Sequence, residues 1–313
     1  MGKLNICSSS LFNLAISFSR TFPRFTQWLR YKVEGNSLWP ARKQILDYYK
    51  QHPKDIGDDE MREALSFIKK RGVDLFPYFW MLKYNPIKIK VYADDTCGLS
   101  YVLHEGKKLY LRRGTSPARA KLVYNALIQE QDKKSPHVYE TDTFKVSHGS
   151  IICDVGAAEG IFALTHIEEA KKVYIFETEE DWIEPLQKTF EPWKEKVVVI
   201  NKFASDKNSD NTVTLDSVLE EDSLQGGDLF LKLDVEGAEK LVLTGASEVL
   251  NSSKFTTKAA VCTYHYNHDY KELTTLMSAF DYNVATSKGY MCCFYGTPPP
   301  PSFFRRTMIY CDK

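Results

Sequence analysis

The chain has 313 residues, 41 basic and 41 acidic side chains, and no formal net charge. That length allows about two domains at roughly 150 residues each, and a 43% hydrophobic, 26% charged composition excludes a disordered chain and a membrane bundle. The even charge balance gives no basis for sequence-independent nucleic-acid binding, which needs a surplus of Lys and Arg. The seven cysteines (Cys7, Cys97, Cys153, Cys262, Cys292, Cys293 and Cys311) are odd in number, and no two have CxxC spacing. A disulfide framework and a structural zinc are therefore disfavoured, and a reducing, cytoplasmic setting is expected. The adjacent Cys292 and Cys293 read as neighbouring strand positions, one facing in and one out.

At the N-terminus, Leu11 to Phe18 is mildly apolar but interrupted by Asn13 and Ser17. No stretch approaches the roughly 20 apolar residues of a membrane span. Leu11 to Arg30 carries Phe12, Phe18, Phe22, Phe25 and Trp28, with four basic groups nearby if Lys32 is included. It reads as a helix packed on the domain, or as an amphipathic helix in peripheral contact with a membrane. Helices are expected over Ser37 to Lys50 and Asp59 to Lys70. The second has Met61, Ala64, Leu65 and Ile68 on one face, Asp58 or Asp59 as N-cap, and Gly72 as its stop. Residues 1–85 thus form a helical extension. From 86 to 140 the expectation is a small antiparallel unit plus a helix. Its strands are Ile87 to Ala93, Tyr101 to His104 and Lys108 to Arg113, and its helix is Ser116 to Gln131, with Pro117 in the first turn. Phe144 to Val146 reads as a further short strand.

Over 141–313 short apolar strands alternate with helices. The strands are Ile151 to Cys153, Val173 to Phe176, Val197 to Ile200, Leu229 to Leu233, Ala259 to Cys262 and Met308 to Cys311. The helices are Ile161 to Ala170, Asp181 to Phe190, Ala238 to Leu250 and Lys271 to Phe280. The alternation implies an α/β fold with a parallel sheet covered on both faces. There is no internal repeat, and the one low-complexity segment is Pro298 to Pro301.

The strongest local signal is Asp154-Val155-Gly156-Ala157-Ala158-Glu159-Gly160, which follows a strand and opens a helix. Small residues there let the backbone approach a ligand closely, and free helix-start amides attract polar groups. Glu177 ends the next strand, about 20 residues on, where a carboxylate suits a ribose diol. A nicotinamide site calls for GxGxxG, but the spacing here is GxxxG, so the glycine that admits a pyrophosphate is missing. An aspartate before the first glycine disfavours a diphosphate and suits S-adenosylmethionine, a sulfonium with no phosphate. The plainer reading is a tight strand-to-helix turn without a ligand.

The second signal is Leu231-Lys232-Leu233-Asp234-Val235-Glu236-Gly237-Ala238-Glu239. Charged residues that follow Phe230 and Leu231 in a central strand need a partner or a task. Asp234 and Glu236 are candidates for the chemistry, whereas Glu239, in a first helical turn, reads as a helix cap.

Together with FETEEDW, the KFASD segment, TLDSVL and LVLTGASEVL, these two motifs resemble the FkbM-type methyltransferase family over about residues 140–313. The resemblance implies a class I, Rossmann-like methyltransferase sheet, mostly parallel with its last strand antiparallel. It also implies S-adenosylmethionine as cofactor, and O-methylation of sugars or other polyhydroxylated products. GLSYVLHEGKKLYLRR and EQDKKSPHVY resemble the accessory region of a bacterial subset whose members often sit among polysaccharide-building enzymes. The chain departs from the family twice. The common turn is closer to GANIG, whereas Ala158-Glu159 stand here, with Glu159 capping the helix or facing the cofactor amine. The acid of an acid-x-His pair after the fifth strand is replaced by Thr263, while His265 keeps its place.

On this reading Asp154, Gly156, Ala157, Glu159, Gly160 and Glu177 hold the cofactor, with Ser205 or Asp206 at the adenine and Asp234 at the methyl end. Trp182 either stacks on the base or lies in the core. His265 is the candidate general base for a hydroxyl of a glycan or small-molecule acceptor, beside Asp234 and Glu236; the alternative is a histidine bonded into a loop. His268 and Asp269 are weaker choices. Asp234, Glu236 and Asp269 are hard oxygen donors, but the Asp-Asn pair of magnesium-dependent O-methyltransferases is absent, so no metal is expected. Ser287 to Tyr290 and the Pro298 to Pro301 loop are candidates for one wall of the acceptor pocket. The competing functions are a nicotinamide-dependent oxidoreductase and a non-catalytic scaffold with the same fold.

Overall fold

The computed structural model describes residues 9–21, 38–221, 226–292 and 303–313. The chain divides into two compact units. The first comprises residues 1–89, 121–136 and 288–306, the second 90–120, 137–287 and 307–313.

The first unit is mainly helical. It holds α1 (Ser9–Thr21), α2 (Leu38–Gln51) and α3 (Asp59–Arg71). Helix α2 buries Ala41, Ile45 and Tyr49, a four-residue spacing that lines one face. Helix α3 is the expected second helix. The Asp58 carboxylate accepts from the Met61 amide at 2.8 Å, and Gly72 ends the helix with its N–H on the Ile68 carbonyl. No described helix is long and apolar enough to cross a membrane. Phe22 to Ser37, Cys293 and Pro298 to Pro301 lie outside the described residues.

The second unit begins with a three-stranded antiparallel sheet, β1 (Tyr92–Asp94), β2 (Leu99–His104) and β3 (Lys107–Tyr110). The strand expected from Ile87 starts only at Tyr92, because Asn85 caps a 3-10 turn over Pro86–Lys88 through the Ile87 amide at 3.1 Å. Helix α4 (Pro117–Glu130) starts at the expected proline. Phe144 and Val146 are buried, but they belong to a turn rather than a strand. The Thr141 amide donates to the Phe144 carbonyl, and the Val146 amide to the Glu140 carboxylate.

The remaining elements are, in order, β4 (Ile151–Val155), α5 (Ile161–His166), β5 (Lys172–Phe176), α6 (Glu180–Phe190), β6 (Val197–Ile200), β7 (Phe203–Ala204), β8 (Thr212–Val213), α7 (Leu215–Glu221), β9 (Gly227–Leu233), α8 (Glu239–Thr244), α9 (Ser247–Asn251), β10 (Phe255–Cys262), α10 (Asp269–Ala279), β11 (Asn283–Thr286), β12 (Met291–Cys292), β13 (Phe304–Arg305) and β14 (Met308–Asp312). Seven of them form one sheet in the order β11-β14-β10-β9-β4-β5-β6. Neighbours from β10 to β6 are parallel, and β14 runs antiparallel to both β10 and β11. This is the mostly parallel sheet, with the antiparallel final strand, that the resemblance implies.

The alternation of side chains along each strand builds two different faces. Ile151, Cys153, Val155, Leu229, Leu231, Leu233, Ala259 and Val261 point into an aliphatic core with Val242, Leu243, Leu250 and Leu273. On the opposite face Phe144, Phe162, Phe230 and Tyr310 pack ring to ring, with centroids 5.1–5.5 Å apart. Phe230 shares that face with Lys232 and, by the same alternation, with Asp234. The helix expected over Ala238 to Leu250 is two helices, α8 and α9. A Cβ on Gly245 would lie 1.9 Å from the Ser205 carbonyl oxygen, so the helix breaks there to make room for the loop. The helix expected to reach Ala170 stops at His166, whose carbonyl takes the Glu169 and Ala170 amides.

Candidate active site

Strands β4, β5, β9 and β10 end in register, with Val155 opposite both Phe176 and Leu233, and Leu233 opposite Val261. The residues that follow them therefore leave one edge of the sheet. The chain order reverses between β4 and β9, and a crevice outside such strand ends is where open α/β sheets bind ligands.

The Gly156 turn is fixed from two sides. Its amide and that of Ala157 donate to the Phe176 carbonyl, at 3.0 and 3.1 Å. Gly156 has φ of 72°, and a Cβ there would stand 1.9 Å from the Asp234 carbonyl oxygen. Only glycine fits, and the reason is closeness to β9 rather than to a ligand. Gly160 is equally constrained by packing, since a Cβ would meet Leu186 and Phe190 of α6 within 3 Å. Ala158 adopts a left-handed φ of 48°, which turns its amide onto Glu177 Oε2 at 2.7 Å. Glu177 Oε1 accepts from the Thr178 and Glu179 amides, both at 2.7 Å. The Glu177 carboxylate is thus held at the tip of β5, beside the Gly-rich turn.

Asp154 is almost wholly buried and works inward. Asp154 Oδ2 accepts from the Ala163 amide in α5 at 3.2 Å, and Oδ1 lies 3.0 Å from Lys232 Nζ. The two residues are direct cross-strand neighbours. Lys232 Nζ also donates to the Gly156 carbonyl at 2.5 Å. Burial disfavours its charge, but the carboxylates of Asp154 and Asp234 outweigh that and hold its pKa above the usual lysine value. Ala157 and Glu159 are buried as well. Burial pushes the Glu159 carboxyl up to about 7, against the amides of Glu159 and Ile161 and the charge of Lys232. Glu159 lies buried directly before Gly160, the N-cap of α5.

Asp234 is the hub. The Tyr139 hydroxyl donates to Asp234 Oδ2 at 2.9 Å and the Tyr264 hydroxyl to Oδ1 at 3.0 Å. His137 Nε2 stands 3.5 Å from Oδ2, and His265 Nε2 3.4 Å from Oδ1. Burial would raise the Asp234 carboxyl, but His137, Lys232, His265 and the Tyr139 hydroxyl together bring it down to about 2. Burial lowers the His137 pKa below the ordinary histidine value, whereas that of Lys232 is raised, so Lys232 is the more lasting cation of the two.

His265 is clasped by carboxylates. Its Nδ1 lies 3.0 Å from Glu239 Oε1, and its Nε2 lies 3.6 Å from Glu236 Oε2. Burial would lower its pKa, but Glu239, then Asp234 and Glu236, raise it above the ordinary histidine value. Tyr264 packs on the ring with centroids 4.1 Å apart. Glu239 is 1% exposed, and Oε1 also accepts from the Val235 amide at 2.9 Å. It is more than the helix cap the sequence implied, because it ties the β9 loop to His265. Glu236 has a left-handed φ of 54° and an exposed carboxylate at the rim.

The other sequence candidates are placed differently. Ser205 Oγ donates to Asp206 Oδ1 at 3.2 Å, and the Ser205 amide to the Val213 carbonyl, so that pair shapes its own loop. Trp182 is buried, with the Arg112 guanidinium 4.5 Å from its ring centre. His268 is exposed and stacks on Tyr266, while Asp269 accepts from the Tyr266 amide at 2.6 Å. Gly289 and Tyr290 are bound within the helical unit. The Gly289 amide donates to Glu60 and the Tyr290 hydroxyl to Asp58. Sequence reasoning missed His137, Tyr139, Tyr264 and the role of Glu239. His137 and Tyr139 lie in an irregular turn segment, which has no period that would mark them in the sequence.

Residues 199–284 match the model of the Methyltransferase FkbM domain. No curated protein matches the chain. Among solved structures it is similar to a methyltransferase FkbM from Methylobacillus flagellatus KT, with TM-score 0.44 and 17% identity over 64% of this chain and 56% of that one. It thus spans little more than half the length of that protein. A precorrin-6y C5,15-methyltransferase from Geobacter metallireducens GS-15 gives TM-score 0.36 and 9% identity, over 54% and 84% of the two chains. TrmK from M. capricolum, solved with S-adenosyl-homocysteine, gives 0.33 and 11%, over 52% and 62%.

Proposed function

We infer that this chain, which carries an FkbM-type methyltransferase domain, is an S-adenosylmethionine-dependent methyltransferase that methylates a hydroxyl of a glycan, glycolipid or related metabolite. The observation that carries the reading is the Glu239–His265 pair at the carboxyl edge of the sheet, 3.0 Å apart and next to Asp234.

The donor set at that edge fits the cofactor. Glu177, Asp234 and Glu236 are acidic, which disfavours a diphosphate and favours a sulfonium and an ammonium group. The Glu177 carboxylate, with two amides on Oε1 and one on Oε2, keeps a lone pair on Oε2 for a ribose hydroxyl. The turn from Gly156 to Gly160 would flank the methionine part; beneath it Asp154 ties α5 to Lys232, which holds the Gly156 carbonyl. When bound, S-adenosylmethionine supplies an electrophilic methyl group.

The protein's own part is to orient and deprotonate the acceptor. With Nδ1 3.0 Å from Glu239 Oε1, the carboxylate favours the tautomer protonated at Nδ1, which leaves Nε2 of neutral His265 as the basic nitrogen. Nε2 is buried on the side of Asp234 and the exposed Glu236, so the acceptor must enter beside Glu236 to reach it. Nε2 would take the proton that the acceptor hydroxyl loses on methylation, and Glu239 would stabilise the imidazolium that forms. Asp234, fixed by two tyrosine hydroxyls, orients the acceptor or the base.

The test is methyl transfer from isotopically labelled S-adenosylmethionine to a panel of mono- and oligosaccharides and amines. His265→Gln is expected to keep cofactor binding and lose transfer by about 10²-fold or more. Unchanged transfer in the variant would remove His265 as the base, and transfer to amines alone would overturn the hydroxyl assignment.

A further inference from the structure

The methyltransferase reading uses His265 and Glu239 but leaves two other chemically active groups against Asp234, His137 and Cys262. His137 lies in the irregular turn segment that also carries Tyr139. Cys262 is the last residue of β10, on the face opposite the aliphatic core. The two are 3% and 0% exposed. His137 Nε2 is 3.7 Å from Cys262 Sγ and 3.5 Å from Asp234 Oδ2. One ligand atom from each of His137, Asp234 and Cys262 lies within 4.8 Å of the others.

The geometry points to His137 Nε2, Asp234 Oδ2 and Cys262 Sγ as a three-donor site for a thiophilic divalent cation of the zinc class. With metal–sulfur bonds of about 2.3 Å and metal–nitrogen and metal–oxygen bonds of about 2.0 Å, the edges of a tetrahedral site are about 3.6 Å for S–N and about 3.3 Å for N–O. The observed 3.7 and 3.5 Å match those edges to within about 0.2 Å. One sulfur, one imidazole nitrogen and one carboxylate oxygen suit zinc or cobalt(II) rather than magnesium or calcium, which take oxygen donors. The side chain of Asp234 is 18% exposed, whereas the other two are sealed, so the ion enters past Asp234. Lys232 does not fill the place, since its ammonium is engaged by Asp154 and the Gly156 carbonyl.

The charge balances. The thiol proton leaves to solvent as the sulfur–metal bond forms. The dication then faces the Cys262 thiolate and the Asp234 carboxylate, while Lys232 stays paired with Asp154. The ion takes the Asp234 oxygen that otherwise accepts from Tyr139. It thereby joins the segment at 137, the end of β9 and the end of β10. This inference does not rest on the methyltransferase reading, because the three donors are present whatever the cofactor.

The probe is cobalt(II), added to the reduced, metal-free full-length protein. The expected result is one ion per chain with a sulfur-to-cobalt charge-transfer absorption that zinc bleaches. Cys262→Ser removes the band, and His137→Asn weakens binding by at least about tenfold. Cys97→Ser, at a partly exposed cysteine elsewhere, leaves both unchanged. If Cys262→Ser does not fold, His137→Asn decides, because its loss leaves the thiol in place. Absence of the band, its survival in Cys262→Ser, its loss in Cys97→Ser, or wild-type affinity in His137→Asn would each overturn the assignment.

Discussion

Beside Glu239, a buried carboxylate, His265 has its pKa set by its neighbours. If His265 is the proposed base, its neutral form is the active one, so transfer should be low below its pKa and rise as pH climbs through it. That pKa lies above the ordinary value of about 6.5 because Glu239, Asp234 and Glu236 favour the imidazolium over the opposing effect of burial. Glu239→Gln removes the nearest negative charge and the orientation of Nδ1. The acidic limb of the rate profile should move to lower pH, while the plateau rate falls on the order of 10²-fold. A limb that stays in place would show that Glu239 does not tune the base. Glu159 gives a stability prediction of definite sign. Its folded carboxyl titrates near 7 against 4.5 for the free group, so the folded state holds a proton that the unfolded state releases. Stability should fall as pH rises from about 4.5 to 7, by up to about 3 kcal/mol from this group. Glu159→Gln should lack that component in denaturant unfolding at pH 5 and pH 7.5. An identical pH dependence in both proteins would contradict the burial of a protonated Glu159.

The elements were legible where periodicity is long and local. The α3 spacing, its Asp58 cap and its Gly72 stop, and the parallel strands with their order of appearance, all follow from patterns within a dozen residues. Two-residue strands such as β7 and β8 carry no period, and β11 is too mixed in composition to stand out. The break between α8 and α9 was hidden because its cause is a contact with Ser205, forty residues away in the chain. The same holds for the site. Gly156, Glu177, Asp234 and His265 could be read from motifs. Tyr139 and His137 reach Asp234 from about a hundred residues earlier, and Glu239 looks like any acid in a first helical turn. The contact at Gly245 is testable. Gly245→Ala would press a methyl group onto a backbone carbonyl and should cost on the order of 1–3 kcal/mol in unfolding free energy. An unchanged unfolding midpoint would mean that the Ser205 loop moves freely aside.

At the scale of the whole molecule, strand order does the positioning. Because β4 lies between β9 and β5, the Gly-rich turn, Glu177 and Asp234 emerge side by side although they are distant in sequence. The boundaries at 85 and 140 mark changes of pattern along the chain, whereas compactness groups 121–136 and 288–306 with the N-terminal helices. Composition cannot reveal such a grouping, since it depends on packing between remote segments. The central claim is that the carboxyl edge of this sheet is built for S-adenosylmethionine, with Glu177 on the ribose. Calorimetric titration of the purified protein with S-adenosylhomocysteine, run beside NAD⁺, tests it most directly. The account predicts binding of S-adenosylhomocysteine alone, weakened at least about tenfold in Glu177→Ala. Binding of NAD⁺ in its place, or of neither compound, would contradict it.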